Sequence, residues 1–449
     1  MFNAIALERR KFGALGWNIP YDFMNSDLKT GFMQVRNYLE EVETVPYDTL
    51  NVCVGEVSYG GRVTDKQDKL CNMAIIRNYF QPDIMIDGHH FDADGIHGAP
   101  PEGSLKDMQE YVAKLPVEDK PTAFGLHPNA DISFQQQQSR IFIDAVITLG
   151  GKGGGGGGGS NEDDTVRKVM DSLNAQMPDM FDRRKGHADS LIVKEEKMIS
   201  LGVFLLQEMT RFNGMNVSIR ASMKELDRAI KGLVVMSGEL EEMYNNFVFN
   251  QVPTVWSDKG VGYPSLMPLS SWIPDFFERL KFIKSWLIDG PPITYWLSGF
   301  FFPQGFMTAV KQTYSRKYHI AVDTLLVGCK MTPTLKHEDM AAIPEDGSYI
   351  YGAYMQGARF DTGTMKMCPS LPKVIFDPMP CIHLTPCKVE DFSTEGCYNC
   401  PVYKTSERRG ILSTTGHSTN FVVALAVPSD EDSDHWIRAG TAMLLMLDD

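Results

Sequence analysis

The sequence has few of the features that mark secreted or membrane proteins. Its eight cysteines are spread from Cys53 to Cys400 without a dense framework, a usage typical of reduced, cytosolic chains. The most apolar stretch, residues 295–302, is far shorter than the roughly 20 residues that a membrane span needs. Residues 1–10 place their charges behind a short apolar run, which is the wrong order for a signal peptide. We therefore expect a soluble chain.

Positive charge is also scarce. The chain has 43 Lys and Arg against 57 Asp and Glu, a net charge of -14, and this balance disfavours direct binding to nucleic acid or to any other acidic surface. The hydrophobic fraction is 43%, enough for a sizeable core. A length of 449 residues exceeds one ordinary domain and predicts two or three packed units.

One tract has almost no side chains. Lys152 is preceded by two glycines, and it is followed by seven more and by Ser160. A phosphate-binding loop needs its lysine after the glycines and directly before a Ser or Thr, whereas Lys152 precedes Gly153. We therefore predict a flexible linker over residues 150–160, with a reach of roughly 17 Å.

Hydrophobic spacing predicts helices first and strands later. Residues 28, 32, 35 and 39 share one helical face, and a second apolar helix is predicted over residues 70–80. Two further stripes follow the tract, at positions 226, 230, 233 and 234 and at positions 276, 280, 283 and 287. From about residue 321, short β-branched and aromatic runs alternate with Gly/Pro loops: residues 349–354, 373–376, 402–404, 421–427 and 441–447. The predicted class is α+β, ending in a small β-barrel-like subdomain.

Several segments are similar to the carboxy-terminal part of dynein heavy chains. The resemblance covers nearly the whole sequence except the glycine tract. The matching segments are ERRKFG at residues 8–13, LGWNIPY at 15–21, GEV at 55–57, YGGRVTD at 59–65, FGLHPNAD at 124–131, YPSL at 263–266, WLSGFFFPQ at 296–304, CPVYKT at 400–405 and TGHSTN at 415–420.

The resemblance implies a division of the sequence. Residues 1–149 are expected to be the lid subdomain of the sixth AAA+ module of the motor ring. Residues 161–320 would form the helical part and residues 321–449 the β-rich part of the dynein C-terminal domain, which lies across a face of that ring. The nucleotide-binding core precedes the lid in this family, so no ATP site is expected here.

The sequence departs from the family after residue 65. The family continues with an acidic residue, a tryptophan and paired arginines, whereas this protein has Lys66, Gln67, Asp68 and Lys69. The contacts that the family's acidic residue, tryptophan and arginines make are therefore not expected in this protein. The glycine tract is a second departure.

Two groups of residues resemble metal sites by composition. The first comprises Asp87, His89, His90, Asp92, Asp94 and His97. A Gly/Pro-rich loop supplies no fixed ligand geometry, so a solvated loop is predicted. The second comprises Cys381, His383, Cys387, Cys397 and Cys400. Cys397 and Cys400 have ligand spacing, yet Cys400 belongs to a family segment on a predicted strand, which favours packing over zinc.

Other candidates for chemistry have simpler interpretations. His417 and Ser418 lack the surroundings of a nucleophile elbow and are predicted to lie in a polar turn. Arg62 could reach a neighbouring module or form a salt bridge within its own. Residues 295–302 could pack in the core or dock on the ring, and the core is favoured. No catalytic, cofactor-binding or metal-binding residue is assigned.

The predicted function is that of a structural and regulatory cap on the ring of an ATP-driven, minus-end-directed microtubule motor of cilia or flagella. ATP and magnesium would act in the parent ring, and microtubules would bind parts outside this segment. The expected partners are the rest of the ring and dynein light and intermediate chains; nucleic acid and membrane are not expected. The expected location is the cytoplasm and the axonemal cytoskeleton. The alternatives are a cytoplasmic dynein segment, a stand-alone interaction module, or a hydrolase or metalloenzyme.

Overall fold

The computed structural model describes residues 1–92, 94–99, 102–153, 159–187, 193–194, 197–257, 261–410 and 419–447. Within these ranges, no helix is both long and apolar enough to cross a bilayer.

The amino-terminal part is helical. Asp65 begins one of its helices by accepting hydrogen bonds from the backbone N–H groups of Gln67 and Asp68, which satisfies donors that a helix start leaves unpaired. The helices are α1 Phe2–Glu8, α2 Asn25–Glu41, α3 Tyr47–Leu50, a π-helix Asn51–Tyr59, α4 Lys66–Arg77 and α5 Leu105–Lys114. Their core is aromatic and aliphatic, and it includes Trp17, Tyr59 and Ile76.

Longer helices follow. They are α6 Ala130–Gly153, α7 Gly159–Gln176, α8 Ser200–Ile230, α9 Gly238–Val248, α10 Thr254–Ser257, α11 Leu269–Asp289 and α12 Pro303–Tyr318. Gly290 ends α11 with φ of 103°, a backbone conformation that glycine adopts without a steric penalty. Of the predicted linker at residues 150–160, residues 150–153 lie at the end of α6 and residues 159–160 at the start of α7. Residues 154–158 lie outside the described residues.

The strands are short and lie mostly in the carboxy-terminal part. They are β1 Val193–Lys194, β2 Lys197–Met198, β3 Thr294–Trp296, β4 Leu325–Met331, β5 Ser348–Tyr351, β6 Tyr354–Gln356, β7 Arg359–Asp361, β8 Lys366–Cys368, β9 Phe376–Pro378, β10 Ile382–Lys388, β11 Cys397–Tyr403, β12 Phe421–Pro428 and β13 Ala442–Leu444, with α13 Ser433–Arg438 before the last. Two larger open sheets have the orders β3-β5-β10-β4 and β12-β11-β13-β6-β9. The short pairs β1-β2 and β7-β8 form separate sheets.

The mixed α and β class is confirmed, and the described strands do not close into a barrel. Closure needs every strand to be paired along both edges. Here the edge strands β3 and β9 are three residues long, too short to carry a sheet around. A continuous hydrophobic cluster fills the space between the sheets and helices α7–α12 and includes Phe212, Trp272 and Phe276.

Two predictions from spacing need correction. Helix α8 ends at Ile230, so Leu233 does not continue its stripe; Leu233 is 67% exposed in the connection to α9. The predicted strand at residues 373–376 is wrong over most of its length, because Lys373 has φ of 66° and pairing begins at Phe376. By contrast, the stripe of α11 is buried as predicted.

Candidate functional site

Helix α2 presents most of its apolar stripe outwards. Leu28, Phe32 and Leu39 are 45%, 69% and 52% exposed. With about 100° of rotation per residue, these three side chains lie within about 40° of one another around the helix axis. The predicted stripe also contains Val35, which is partly buried against the amino-terminal core. The stripe is therefore divided, with Leu28, Phe32 and Leu39 exposed and Val35 packed inwards.

A different face of α2 packs inwards. Asp27, Gly31, Gln34 and Tyr38 lie about 110° from the apolar stripe. Gly31 permits this close approach, because a Cβ there would lie 3.1 Å from a methyl carbon of Val54. The helix is therefore held by small and polar side chains and by Val35, whereas Leu28, Phe32 and Leu39 are exposed.

Polar contacts fix the orientation of α2. Arg62 donates to both carboxylate oxygens of Asp27 at 2.7 and 3.0 Å. Burial would raise the pKa of Asp27, but hydrogen bonds from Arg62 and from the backbone N–H of Met24, together with the charge of Arg62, outweigh it and hold that pKa below its usual range. Ser58 donates to Gln34 at 3.1 Å. The salt-bridge interpretation of Arg62 is thus the one that the structure shows.

Further apolar side chains lie on the neighbouring π-helix, where Val52 and Val57 are 45% and 63% exposed. We call the three exposed side chains of α2, Leu28, Phe32 and Leu39, the lid stripe. Exposed patches of this kind on otherwise polar surfaces mark sites of protein association. Because its three side chains are all aliphatic or aromatic, the lid stripe can bind an apolar surface but supplies no acid, base or nucleophile.

The aromatic segment at residues 295–302 is mostly core. Tyr295, Leu297 and Phe300 are no more than 4% exposed, whereas Phe302 is 40% exposed. The backbone is held there by a buried carboxylate: Glu208 of α8 accepts from the N–H groups of Phe301 and Phe302 at 2.6 and 3.2 Å. Burial raises the pKa of Glu208, although these bonds and Arg211 oppose the shift.

Three of the eight cysteines, Cys71, Cys381 and Cys400, are buried, and the other five are partly buried. Cys397 and Cys400 lie three positions apart on β11, and residues at that spacing on a strand point to opposite faces. Burial raises the pKa of the Cys400 thiol. All eight cysteines are free, and among the described residues no group of three or more His, Cys, Asp or Glu is arranged to hold a metal ion. Zinc-free packing stays a prediction.

The acidic and histidine-rich loop is not solvated throughout. Its Asp92 and His97 side chains are 2% and 14% exposed and are in contact with each other, so the prediction of a solvated loop is wrong for this pair. Sequence reasoning missed the contact between His97 and Asp119, because the two residues are far apart in sequence. His417 and Ser418 lie outside the described residues.

The amino-terminal helices join the rest of the molecule through buried polar groups. Arg9 is fully buried and donates to the carbonyl oxygens of Phe124 and Arg438. Asn18 donates to the hydroxyl of Tyr403 at 2.8 Å. Asn129 donates to the carbonyl oxygen of Leu371 at 2.8 Å. No sequence pattern predicted these pairings, although Arg9 and Asn129 both lie in segments that resemble the family.

Two adjoining domains account for this fold: an AAA+ lid and an α+β domain that packs against it. Residues 1–130 match the AAA lid domain of dynein heavy chains, and residues 136–445 match the C-terminal domain of dynein heavy chains. The protein belongs to the dynein heavy chain family.

Similar proteins are known from mammals. The sequence is 41% identical to dynein axonemal heavy chain 3 of Mus musculus over 452 residues, 40% identical to dynein axonemal heavy chain 12 of Homo sapiens over 450, and 40% identical to dynein axonemal heavy chain 1 of Rattus norvegicus over 449. Each match covers 100% of this sequence but only 11%, 14% and 10% of the respective relative.

Proposed function

We propose that this protein is the carboxy-terminal segment of an axonemal dynein heavy chain and acts as a structural and regulatory cap on its AAA+ ring. The names of its relatives support the axonemal assignment over the cytoplasmic one. The cap has no ATP site of its own. ATP with magnesium is hydrolysed elsewhere in the ring and drives minus-end-directed movement along microtubules, which bind other parts of the heavy chain.

The proposed organisation keeps residues 1–149 as the lid, 150–160 as a flexible linker, and 161–320 and 321–449 as the helical and β-rich parts of the C-terminal domain. Light and intermediate chains are proposed partners of the complete motor. The proposed location is the axoneme within the cytoskeleton of a cilium or flagellum.

The lid stripe carries the proposal. Leu28, Phe32 and Leu39 form an apolar face on a helix whose other face is already anchored by Asp27 and Arg62. Exposing such side chains has a cost of about 25 cal/mol per Å² of apolar surface, which docking would remove. We therefore infer that the lid stripe packs against the ring of the same heavy chain.

The test uses the complete heavy chain with Phe32→Gln and Met33→Gln as a matched pair. The side chains are 69% and 60% exposed, but Met33 points about 120° away from the stripe. In the 449-residue protein neither change should shift melting by more than about 1 °C, since exposed substitutions cost about 0.5 kcal/mol or less.

In the complete heavy chain, Phe32→Gln should lower microtubule-stimulated ATP turnover and increase proteolysis of α2, whereas Met33→Gln should leave both unchanged. Equal behaviour of the two variants would show that the lid stripe does not dock on the ring. ATP turnover by the purified 449-residue protein alone would contradict the absence of its own ATP site.

A further inference from the structure

Five positions in the sequence place a glycine directly after an aspartate or an asparagine. The pairs are Asp87–Gly88, Asp94–Gly95, Asn213–Gly214, Asp289–Gly290 and Asp346–Gly347. In each pair the glycine nitrogen is a nucleophile next to the side-chain carbonyl carbon of the residue before it, and glycine has no Cβ to hinder its approach. The local structure of each pair decides whether this attack is open.

Asp87 and Gly88 are the central residues of a tight turn. The N–H of His89 donates to the carbonyl oxygen of Ile86 at 3.0 Å, and Gly88 has φ of 79°. Asp87 is not among the described residues with positive φ. A positive φ at the third position alone is the pattern of a type II turn. The hydrogen bond of the turn joins its outer residues and leaves the N–H of Gly88 unused.

Both reacting groups of this pair are open to solvent. Asp87 and Gly88 are exposed. Among the described residues, no hydrogen bond or ion pair involves the Asp87 carboxylate or the N–H of Gly88. A Cβ at Gly88 would meet no atom within 4 Å. Neither a bonded partner nor a packed neighbour therefore opposes the approach of the nitrogen to the side chain.

The four other pairs, which we call the held pairs, are restrained by contacts. In Asp94–Gly95 both reacting groups are engaged. Asp94 accepts from the hydroxyl of Thr122 at 2.5 Å, and the N–H of Gly95 donates to the carbonyl oxygen of Asp92 at 3.2 Å. This pair lies in the same loop as Asp87 and has the same sequence chemistry, so it serves as an internal control.

Two further held pairs have engaged carboxylates. Asp346 accepts from Lys317 and from the hydroxyl of Tyr318, each at 2.7 Å. Asp289 accepts from the hydroxyl of Ser285 at 2.7 Å at the end of α11. Each carboxyl group must give up these partners before its carbon can meet the following nitrogen.

Asn213–Gly214 is the pair that would react fastest in an unfolded chain, because a neutral amide carbon is a better electrophile than the carbon of an ionised carboxylate. In the fold, Asn213 donates to the carbonyl oxygen of Phe181 at 3.0 Å and accepts from the N–H of Phe181 at 2.8 Å. Both residues of the pair lie inside α8, where the N–H of Gly214 belongs to the helical hydrogen-bond pattern. Folding thus reverses the order of reactivity.

We propose that Asp87 is a site of spontaneous isomerisation to isoaspartate in the folded protein and that structure protects the held pairs. The nitrogen of Gly88 attacks Cγ of the protonated Asp87 side chain. A C–N bond closes a five-membered succinimide, and the carboxyl hydroxyl leaves as water with the proton of that nitrogen. Water then adds to the main-chain carbonyl carbon of residue 87 and breaks its bond to nitrogen. The backbone now runs through Cβ and Cγ, with mass and oxidation state unchanged.

The product lies between two anchored stretches of the lid. Before the turn, the N–H of Ile86 donates to the carbonyl oxygen of Asp83 at 3.0 Å. After it, the carbonyl oxygen of Phe91 accepts from Asn78 at 3.0 Å. One additional backbone carbon between these anchors changes the geometry that the bond from His89 to Ile86 requires. Isomerisation therefore opens this turn and leaves the stretches on either side in place.

The test is incubation of the folded 449-residue protein for several weeks at physiological temperature and mildly acidic pH. Peptide mapping with fragmentation at N–Cα bonds distinguishes isoaspartate from aspartate. The peptide that contains residue 87 should carry at least about tenfold more modification than a peptide with any held pair, because a held pair reacts only after local opening. In protein enriched in isoaspartate, the amide of His89 should exchange with solvent faster than in fresh protein.

Two variants and one change of conditions serve as controls. Asp87→Glu keeps the charge but would need a six-membered ring, so its peptide should stay unmodified. Asp83→Glu, at another exposed aspartate of this segment, should leave isomerisation at Asp87 unchanged. In urea-unfolded protein all five pairs should react, and Asn213 should react fastest.

Equal modification of Asp87 and the held pairs in the folded protein would overturn the proposal. So would held pairs that stay intact after unfolding, because structure would then not be what protects them. A His89 amide whose exchange does not change with isomerisation would contradict the opening of the turn.

Discussion

Alanine substitutions at Phe300, Phe301 and Phe302, taken one at a time, test which part of the aromatic segment belongs to the core. Phe300 is 2% exposed and contacts the rings of Phe204 and Phe306 with centroid distances of 4.9 and 5.2 Å. Phe301 is partly buried against Phe212 at 4.5 Å. Phe302 is 40% exposed. Truncation to Ala should therefore lower the free energy of unfolding most at Phe300, less at Phe301 and least at Phe302.

The expected magnitudes follow from burial. Phe300→Ala leaves a cavity among fixed aromatic rings and should cost about 3–5 kcal/mol. The matched C-terminal domain spans residues 136–445, and about 300 residues give an unfolding entropy of roughly 0.6 kcal/mol per kelvin. A loss of about 4 kcal/mol then lowers the melting temperature by about 6 °C. Phe301→Ala should lie between this value and a change of about 1 °C for Phe302→Ala.

Calorimetry and urea unfolding of the 449-residue protein would measure the series. The backbone N–H groups of Phe301 and Phe302 still donate to Glu208 in each variant, so the differences report on the rings alone. The assignment of this segment to the core is wrong if Phe300→Ala has the same melting temperature as the unmodified protein. It is also wrong if Phe302→Ala lowers the melting temperature as much as Phe300→Ala does.

Three further predictions concern charge, metal and the linker. Burial and the charge of Asp65 raise the pKa of Asp68 to about 7. Because the unfolded state loses this proton first, the free energy of unfolding should fall as pH rises from about 4 to about 7. Asp68→Asn should remove that fall in urea titrations at several pH values, and an unchanged fall would contradict the prediction. Elemental analysis of the purified protein should find no stoichiometric zinc, and one zinc per molecule would favour a structural metal in the β-rich part, in the region from Cys381 to Cys400. Halving the tract at residues 150–160 should scarcely shift melting, because a twofold change in loop length is worth only about 0.6 kcal/mol; a large loss would show that the tract is ordered.

Sequence reasoning succeeded where a pattern is local. The spacing of positions 276, 280, 283 and 287 predicted both a helix and its buried face, because the same residues form the helix and fill the core. For α2 the spacing predicted the helix but not that Leu28 and Phe32 would be exposed. Periodicity shows which side chains share a face, and it does not show whether that face packs into the core.

Contacts between distant segments could not be predicted in this way. His97 meets Asp119, and Asn18 meets Tyr403, through folding of the backbone and not through any repeat in its sequence. The family resemblance pointed to segments that contain Arg9 and Asn129 but gave no pairing for either. Propensity also failed at Lys373, where a left-handed backbone conformation interrupts a run with strand-like composition.

The buried Arg9 has a consequence for the order of events during synthesis. Its contact with Arg438 joins residues 429 positions apart. A ribosome adds roughly 5–20 residues per second, so Arg9 waits on the order of 20–90 s before this acceptor is made. During that interval a guanidinium destined for a dry interior has only part of its final set of carbonyl partners. The amino-terminal helices can collapse early, but their closing contact must form after translation has passed the last helix.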